Sequence, residues 1–252
     1  MARTDDDSRD TTEGVGATAL GAALARAQEA SSGCPLFIDS YARRFVDAAI
    51  ARGWQLPSQT ADQAISDYAA SRTKWFDDFF ITAGANGVVQ AVILAAGLDA
   101  RAWRLPWAND SVVYEVDEPR VLAFKAETLI DDRPAARYVP VPIDVRQDWP
   151  KALREAGFDP QEPTAWVTEG TLPDLPAEDQ DLLFERIHEL SCPGSRISVE
   201  FFGVDVAEWL MTHGWRVWSE DAGALMQRYG RPPTEAAKDA TPRTTFVEGV
   251  RG

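Results

Sequence analysis

Four residues of this sequence each stand within three positions of the end of a strand-type run. Gly97 follows Val88–Leu94, Asp117 follows Ser111–Val116, Asp144 follows Tyr138–Ile143 and Glu169 follows Thr164–Thr168. An open α/β sheet binds its ligands at the carboxyl ends of its strands, near the point where strand order reverses. A glycine there lets the backbone approach a ligand closely, and carboxylates accept hydrogen bonds from hydroxyl groups. The loop at Gly97 lacks the G-x-G-x-x-G pattern that brings backbone amides against a pyrophosphate, which argues against NAD or FAD. Asp117 lies 20 residues after Gly97, the spacing of a ribose-binding acid after a glycine loop. A nucleoside without a pyrophosphate satisfies both facts. S-adenosylmethionine (SAM) is such a ligand.

The elements that must position these residues follow from periodicity. Val88, Val89, Ala91, Val92, Ile93 and Leu94 form an apolar run interrupted only by Gln90, as in a parallel strand buried on both faces. Further strands are expected at Ser111–Val116, Tyr138–Ile143, Thr164–Thr168, Arg196–Phe201, Arg216–Trp218 and Thr245–Val247. Pro140 and Pro142 place the third of these near a sheet edge. Helical spacing over Pro119–Ile130, Trp149–Ala156, Pro176–Leu190 and Asp205–His213 alternates with the strands. The pattern predicts an α/β fold, a Rossmann-like, mostly parallel sheet with helices on both faces. Ahead of it come three expected helices: Ala17–Ala30, Ser40 to about Ala51, and Ala61–Ala83 with an aromatic core face. We divide the chain into an arm at 1–16, a helical region at 17–86 that covers the cofactor site, and a Rossmann-like core at 87–252.

Composition narrows the partners. The 252 residues are 45% hydrophobic and 26% charged, enough to fill a sizeable core. The net charge of −15 repels phosphate backbones, so no nucleic-acid partner is expected. No apolar run reaches the roughly 18 residues of a membrane span, and no signal-peptide pattern opens the chain. A cytoplasmic protein without membrane contact is expected. Cys34 and Cys192 are too few for a disulfide framework or a zinc cluster, so no metal is expected.

Three stretches are more specific. Tyr68-Ala69-Ala70-Ser71-Arg72-Thr73-Lys74-Trp75-Phe76-Asp77-Asp78-Phe79-Phe80, Val92-Ile93-Leu94-Ala95-Ala96-Gly97-Leu98-Asp99-Ala100-Arg101 and Tyr114-Glu115-Val116-Asp117-Glu118-Pro119 closely resemble the actinobacterial branch of the leucine carboxyl methyltransferase-like family. The opening Ala2-Arg3-Thr4-Asp5-Asp6-Asp7-Ser8 is similar too. The resemblance implies a class I methyltransferase fold, SAM as cofactor, and O-methylation, typically of a carboxylate; polyketide carboxyl methyltransferases are related. It further implies that Arg72 pairs with the SAM carboxylate, a group suited to a bidentate guanidinium. By the same resemblance Gly97 lies beneath the cofactor and Asp117 binds the ribose. Asp144 with the backbone of Val145 lies near the adenine, and Glu169 lies close to the methionine portion. Asp99 and Arg101 shape the loop as an ion pair.

The chain departs from the family on the acceptor side. After the fourth strand it reads Glu169-Gly170-Thr171-Leu172-Pro173-Asp174-Leu175-Pro176, without the family's aromatic-bearing segment. Only Phe201-Phe202-Gly203-Val204 separate Glu200 from Asp205, where family members carry a long covering segment. The site should therefore be open, or closed by another chain or by the N-terminal helices. An ionised carboxylate acceptor needs positioning and desolvation rather than a base. His188 and His213 are accordingly read as structural, and no catalytic residue is assigned. The expected function is methylation of a small-molecule carboxylate. The alternative is a degenerate SAM-binding paralogue. A dinucleotide or nucleotide-sugar enzyme is disfavoured by the glycine loop, and a structural protein by the aligned acids.

Overall fold

The computed structural model describes residues 16–57, 62–201, 206–234 and 241–252. Three helices open it: α1 (Ala17–Ala30), α2 (Ala42–Ala51) and α3 (Gln63–Ala85). Asp62 caps α3 by accepting a hydrogen bond from the Ala64 amide. The alternating part follows as β1 (Gln90–Leu94), α4 (Arg101–Arg104), β2 (Val112–Asp117), α5 (Pro119–Thr128), β3 (Arg137–Pro142), α6 (Trp149–Glu155), β4 (Thr164–Thr168), α7 (Ala177–Glu189) and β5 (Arg196–Phe201). It closes with α8 (Val206–Thr212), β6 (Trp215–Asp221), α9 (Ala222–Arg228) and β7 (Thr245–Arg251).

The seven strands form one sheet in the order β3-β2-β1-β4-β5-β7-β6. The first five are mutually parallel, and β7 runs antiparallel between β5 and β6. Their carboxyl ends therefore line one edge of the sheet, with the reversal of strand order between β1 and β4. That is the place where such sheets bind ligands.

Alternate residues of each central strand feed two cores. Ile93, Val113, Val167 and Phe246 pack with α1, α2, α3 and α9, while Val92, Leu94, Trp166 and Val199 pack with α6, α7 and α8. Both faces are covered, which is why β1 and β4 are buried along their whole length. Trp75, Phe76, Phe79 and Phe80 lie in the first core, as their spacing predicts. The proline-bearing β3 is an edge strand, hydrogen-bonded only to β2, because proline has no N–H to give a second neighbour.

Two helices escape the sequence reading. α4 is a single turn, too short to show a period, and α9 follows β6 directly with Asp221 as its cap. β6 and β7 are also longer than expected, because each pairs along its whole length in the antiparallel part of the sheet. The expected arm, apart from Gly16, lies outside the described residues, as do Asp205 and Phe202. None of the described helices is long and apolar enough to cross a membrane.

Candidate active site

A cavity of about 460 Å³ lies over the carboxyl ends of β1, β2 and β4, within the roughly 300–1,000 Å³ range of small-molecule sites. All six residues singled out from the sequence line it: Arg72, Gly97, Asp117, Asp144, Val145 and Glu169. Five of them come from four separate strand ends, and Arg72 comes from the middle of α3.

The floor is the turn after β1. Ala95 and Gly97 both adopt the left-handed region, with φ of 50° and 51°. Such a φ is uncommon for a residue with a Cβ and stores about 1–3 kcal/mol of strain, a kind of strain that gathers at ligand sites. Asp117 braces this turn: its Oδ2 accepts from the Gly97 amide at 2.6 Å and its Oδ1 from the Glu118 amide at 2.6 Å. Burial raises the Asp117 pKa, and the two amides oppose that shift. Each carboxylate oxygen has a second lone pair, so hydroxyl donors can still be accepted.

At one end Asp144 accepts from the Arg146 amide at 2.8 Å and from its Nε at 2.9 Å. Hydrogen bonding to Arg146 lowers the Asp144 pKa. At the other end Glu169 takes Arg101 Nη1 at 2.9 Å and faces Arg72 Nε at 3.1 Å. Arg72 is no solvated surface arginine: its side chain keeps only 21% exposure and its Nη1 donates to Glu200 at 3.3 Å. Burial acts against its charge, but Glu200 and Glu169 together raise its pKa.

Behind Glu169 the ion pair expected between Asp99 and Arg101 is present, inside a larger network. Arg101 is buried and also donates to Asp77 at 2.7 Å and to the Thr73 carbonyl at 3.2 Å. Arg104 makes two bonds to Asp77 at 2.6 Å, and its Nε lies 3.7 Å from Asp39. Arg26 completes the chain, donating to Asp39 at 3.0 Å and to the Leu98 carbonyl at 2.6 Å. The linked groups are Arg26, Arg72, Arg101 and Arg104 against Asp39, Asp77, Asp99, Glu169 and Glu200. One negative charge is left over.

α1 forms the wall opposite the sheet. Thr18, Ala19, Ala22 and Arg26 line the cavity, and a Cβ placed on Gly97 would meet Ala19 Cβ at 3.5 Å. Of the N-terminal helices anticipated as a cover for a chain with a short link after β5, α1 and Arg72 of α3 contribute to the cavity lining. Trp75, Phe76 and Phe201 are core residues and line no part of the cavity.

The chain's two histidines lie elsewhere. His188 accepts from Trp215 Nε1 at 3.2 Å and packs against His213, at the edge of the sheet opposite the cavity. Sequence reasoning missed Glu200, Tyr68 and Arg26. The strand-end rule that singled out Asp117 also reaches Glu200, one residue from the end of β5. Nothing local marks Tyr68 or Arg26.

With this geometry in view, likeness to known proteins becomes informative. The model of the family described as leucine carboxyl methyltransferase matches residues 19–188, which include all but the first two residues of α1 and every cavity residue named from the sequence. A Mycobacterium sp. (strain MCS) protein named "Putative S-adenosyl-L-methionine-dependent methyltransferase" is 52% identical over 240 residues, covering 93% of this chain and 99% of its own length. The chain belongs to the leucine carboxyl methyltransferase family. A second relative of the same name, from Mycolicibacterium paratuberculosis (strain ATCC BAA-968 / K-10), is 45% identical over 312 aligned positions, covering 100% of this chain and 98% of its own length. At least 60 of those positions have no residue in this 252-residue chain. The family thus holds a longer form and a compact one, and this chain has the compact form in common with the strain MCS relative. The fold is also that of the magnesium protoporphyrin IX methyltransferase of Synechocystis PCC 6803, solved with bound SAM. That likeness has a TM-score of 0.50 at 12% identity, over 92% of this chain and 97% of that one.

Proposed function

We propose that this SAM-dependent methyltransferase transfers its methyl group to a carboxylate oxygen of a small molecule, in the cavity between α1 and the strand ends. The observation that carries the reading is the make-up of the cavity wall. Among the described residues its ionisable side chains are the acids Asp99, Asp117, Glu118, Asp144 and Glu169 and the arginines Arg26, Arg72 and Arg146, with no histidine, cysteine, lysine or tyrosine. Each of these acids already accepts from an arginine or a backbone amide, so no imidazole or amine and no unengaged carboxylate stands ready as a base, which suits an acceptor that is already ionised.

The residues fit the methyl donor group by group. In this reading Asp117 accepts the ribose hydroxyls while its amide contacts keep the Gly97 turn in place. Asp144 and the Val145 backbone flank the adenine, with Arg146 fixing the Asp144 carboxylate. Arg72 meets the amino-acid carboxylate and Glu169 the ammonium group. The bound donor supplies an electrophilic methyl on a sulfonium. It carries one net positive charge, which balances the one unmatched carboxylate of the buried network. The chain's own work is to bind, orient and exclude water, with α1 as the cover. A cytoplasmic setting, with Cys34 and Cys192 as free thiols, goes with this reading.

The test is transfer from methyl-labelled SAM to a panel of small carboxylic acids, each paired with its amide and alcohol. Label released as methanol by mild alkali identifies a methyl ester and supports the reading. Transfer only to the alcohols or amides overturns it, and SAM binding without turnover on any acceptor favours a non-catalytic binder.

A further inference from the structure

We propose that Glu200, held by the Tyr68 hydroxyl, is a positioning residue that fixes Arg72 for the amino-acid end of the methyl donor. The proposal rests on the role of Arg72 given above and assigns work to two residues that do not line the cavity.

Glu200 sits on β5 with 1% of its surface exposed. A buried carboxylate is costly unless it is paired and hydrogen-bonded, and its partners here are specific. Tyr68 donates to one oxygen, and Arg72 Nη1 donates to the other at 3.3 Å. The Tyr68 hydroxyl is itself fixed by Thr244 Oγ1 at 2.8 Å, just before β7. Three elements, α3, β5 and the start of β7, thereby hold one carboxylate. That carboxylate occupies Nη1 of Arg72, while Nε faces Glu169. Nη2 makes no hydrogen bond among the described residues, and the Arg72 side chain lines the cavity. A free arginine side chain samples many rotamers, and ordering it costs conformational entropy. Glu200 pre-orders it before the ligand arrives. Without Glu200 the guanidinium can collapse onto Glu169 and mask both charged partners of the ligand's amino-acid tail.

Selectivity separates this role from a merely structural one. SAM contains the amino-acid tail, whereas 5′-methylthioadenosine keeps the adenine, ribose and sulfur but lacks that tail. The affinities of both ligands are measured by calorimetry for the full chain and for Tyr68→Phe, Glu200→Gln and Arg72→Ala. Tyr68→Phe and Glu200→Gln should each weaken SAM about tenfold and change methylthioadenosine by less than about twofold, as expected for loss of one charge-assisted contact. The double variant Tyr68→Phe with Arg72→Ala should bind SAM no more weakly than Arg72→Ala alone, because the two act through one contact. Unchanged or tighter SAM binding in both Tyr68→Phe and Glu200→Gln overturns the positioning role, as does equal loss of both ligands. If Arg72→Ala itself leaves SAM affinity unchanged, the assignment of Arg72 falls first. If only Arg72→Ala weakens SAM, that assignment stands and the positioning role alone is overturned.

Discussion

Asp117 does two jobs with one carboxylate. Its oxygens hold the amides of Gly97 and Glu118, and in the proposed reading their remaining lone pairs accept the ribose hydroxyls in the cavity it lines. Asp117→Ala should therefore weaken SAM by about 1–3 kcal/mol, roughly tenfold to a hundredfold, through the lost acceptor and a loosened turn. Calorimetric titration checks this, and an unchanged dissociation constant in a folded variant rules the role out. Arg72 invites a subtler substitution. Arg72→Lys keeps the charge but cannot serve Glu200, Glu169 and a ligand carboxylate in one plane. SAM affinity should fall by about 1–2 kcal/mol. A lysine that substitutes without loss would show that planar recognition is not used.

At the scale of elements, α1 lines the cavity and is the cover in the proposed reading, and β7 joins β5 to β6 in the sheet. The cavity face of α1 carries Ala19 and Ala22, small enough to leave room above the Gly97 turn. Ala22→Leu should fill that room. SAM affinity should drop by more than about tenfold, while the change in unfolding free energy stays within about 0.5 kcal/mol, as for a partly exposed substitution. Calorimetry and thermal melting read the two effects separately, and a variant that binds SAM normally would show that α1 does not close over the ligand. β7 carries Glu248, whose pKa is pushed by burial up to about 7, against the pull of Arg196 and Arg228. The folded state thus holds a proton that the unfolded chain releases near its ordinary value of 4.5. The associated stability is present below pH 4.5 and lost as pH rises through 7. Glu248→Gln should melt like the parent chain near pH 4.5 and higher than it at pH 8, by on the order of 2 kcal/mol in unfolding free energy. Equal melting differences at the two pH values would contradict this.

For the whole molecule, ligand binding couples to folding, because the cavity exists only when α1, α3 and four strand ends are in place. SAM at 100 times its dissociation constant should add about 2.7 kcal/mol to stability, which in a chain of this size raises the melting temperature by roughly 5–10 °C. NAD should give no shift, since the Gly97 turn offers no pyrophosphate cradle. A scan with both ligands tests this, and a shift with NAD but none with SAM would overturn the cofactor assignment. The net charge of −15 leaves one further mark at this scale. The arginines of the cavity region are spent on acids: Arg26 on Asp39, Arg101 and Arg104 on Asp77, Arg72 on Glu169 and Glu200.

The sequence by itself determined what depends on neighbours along the chain. Val88–Leu94 had to be a doubly buried strand because every residue but Gln90 is apolar. Pro140 and Pro142 had to put β3 at an edge because proline lacks an N–H. Gly97 and Asp117 were legible as a pair because a β-α-β unit has a nearly fixed length between its two strand ends. The tertiary structure alone decided what joins distant segments. The antiparallel insertion of β7 between β5 and β6 depends on sheet pairing, which leaves no trace in either strand's own pattern. Tyr68 reads as one more aromatic on the buried face of α3 until Glu200, 132 residues away, appears against its hydroxyl. Arg26 reads as a polar residue in an alanine-rich helix until Leu98, 72 residues on, receives its guanidinium. Ion pairs of this kind form where the fold excludes water from two charges at once. The periodicity of one segment records whether a residue is buried, not which distant residue is buried with it.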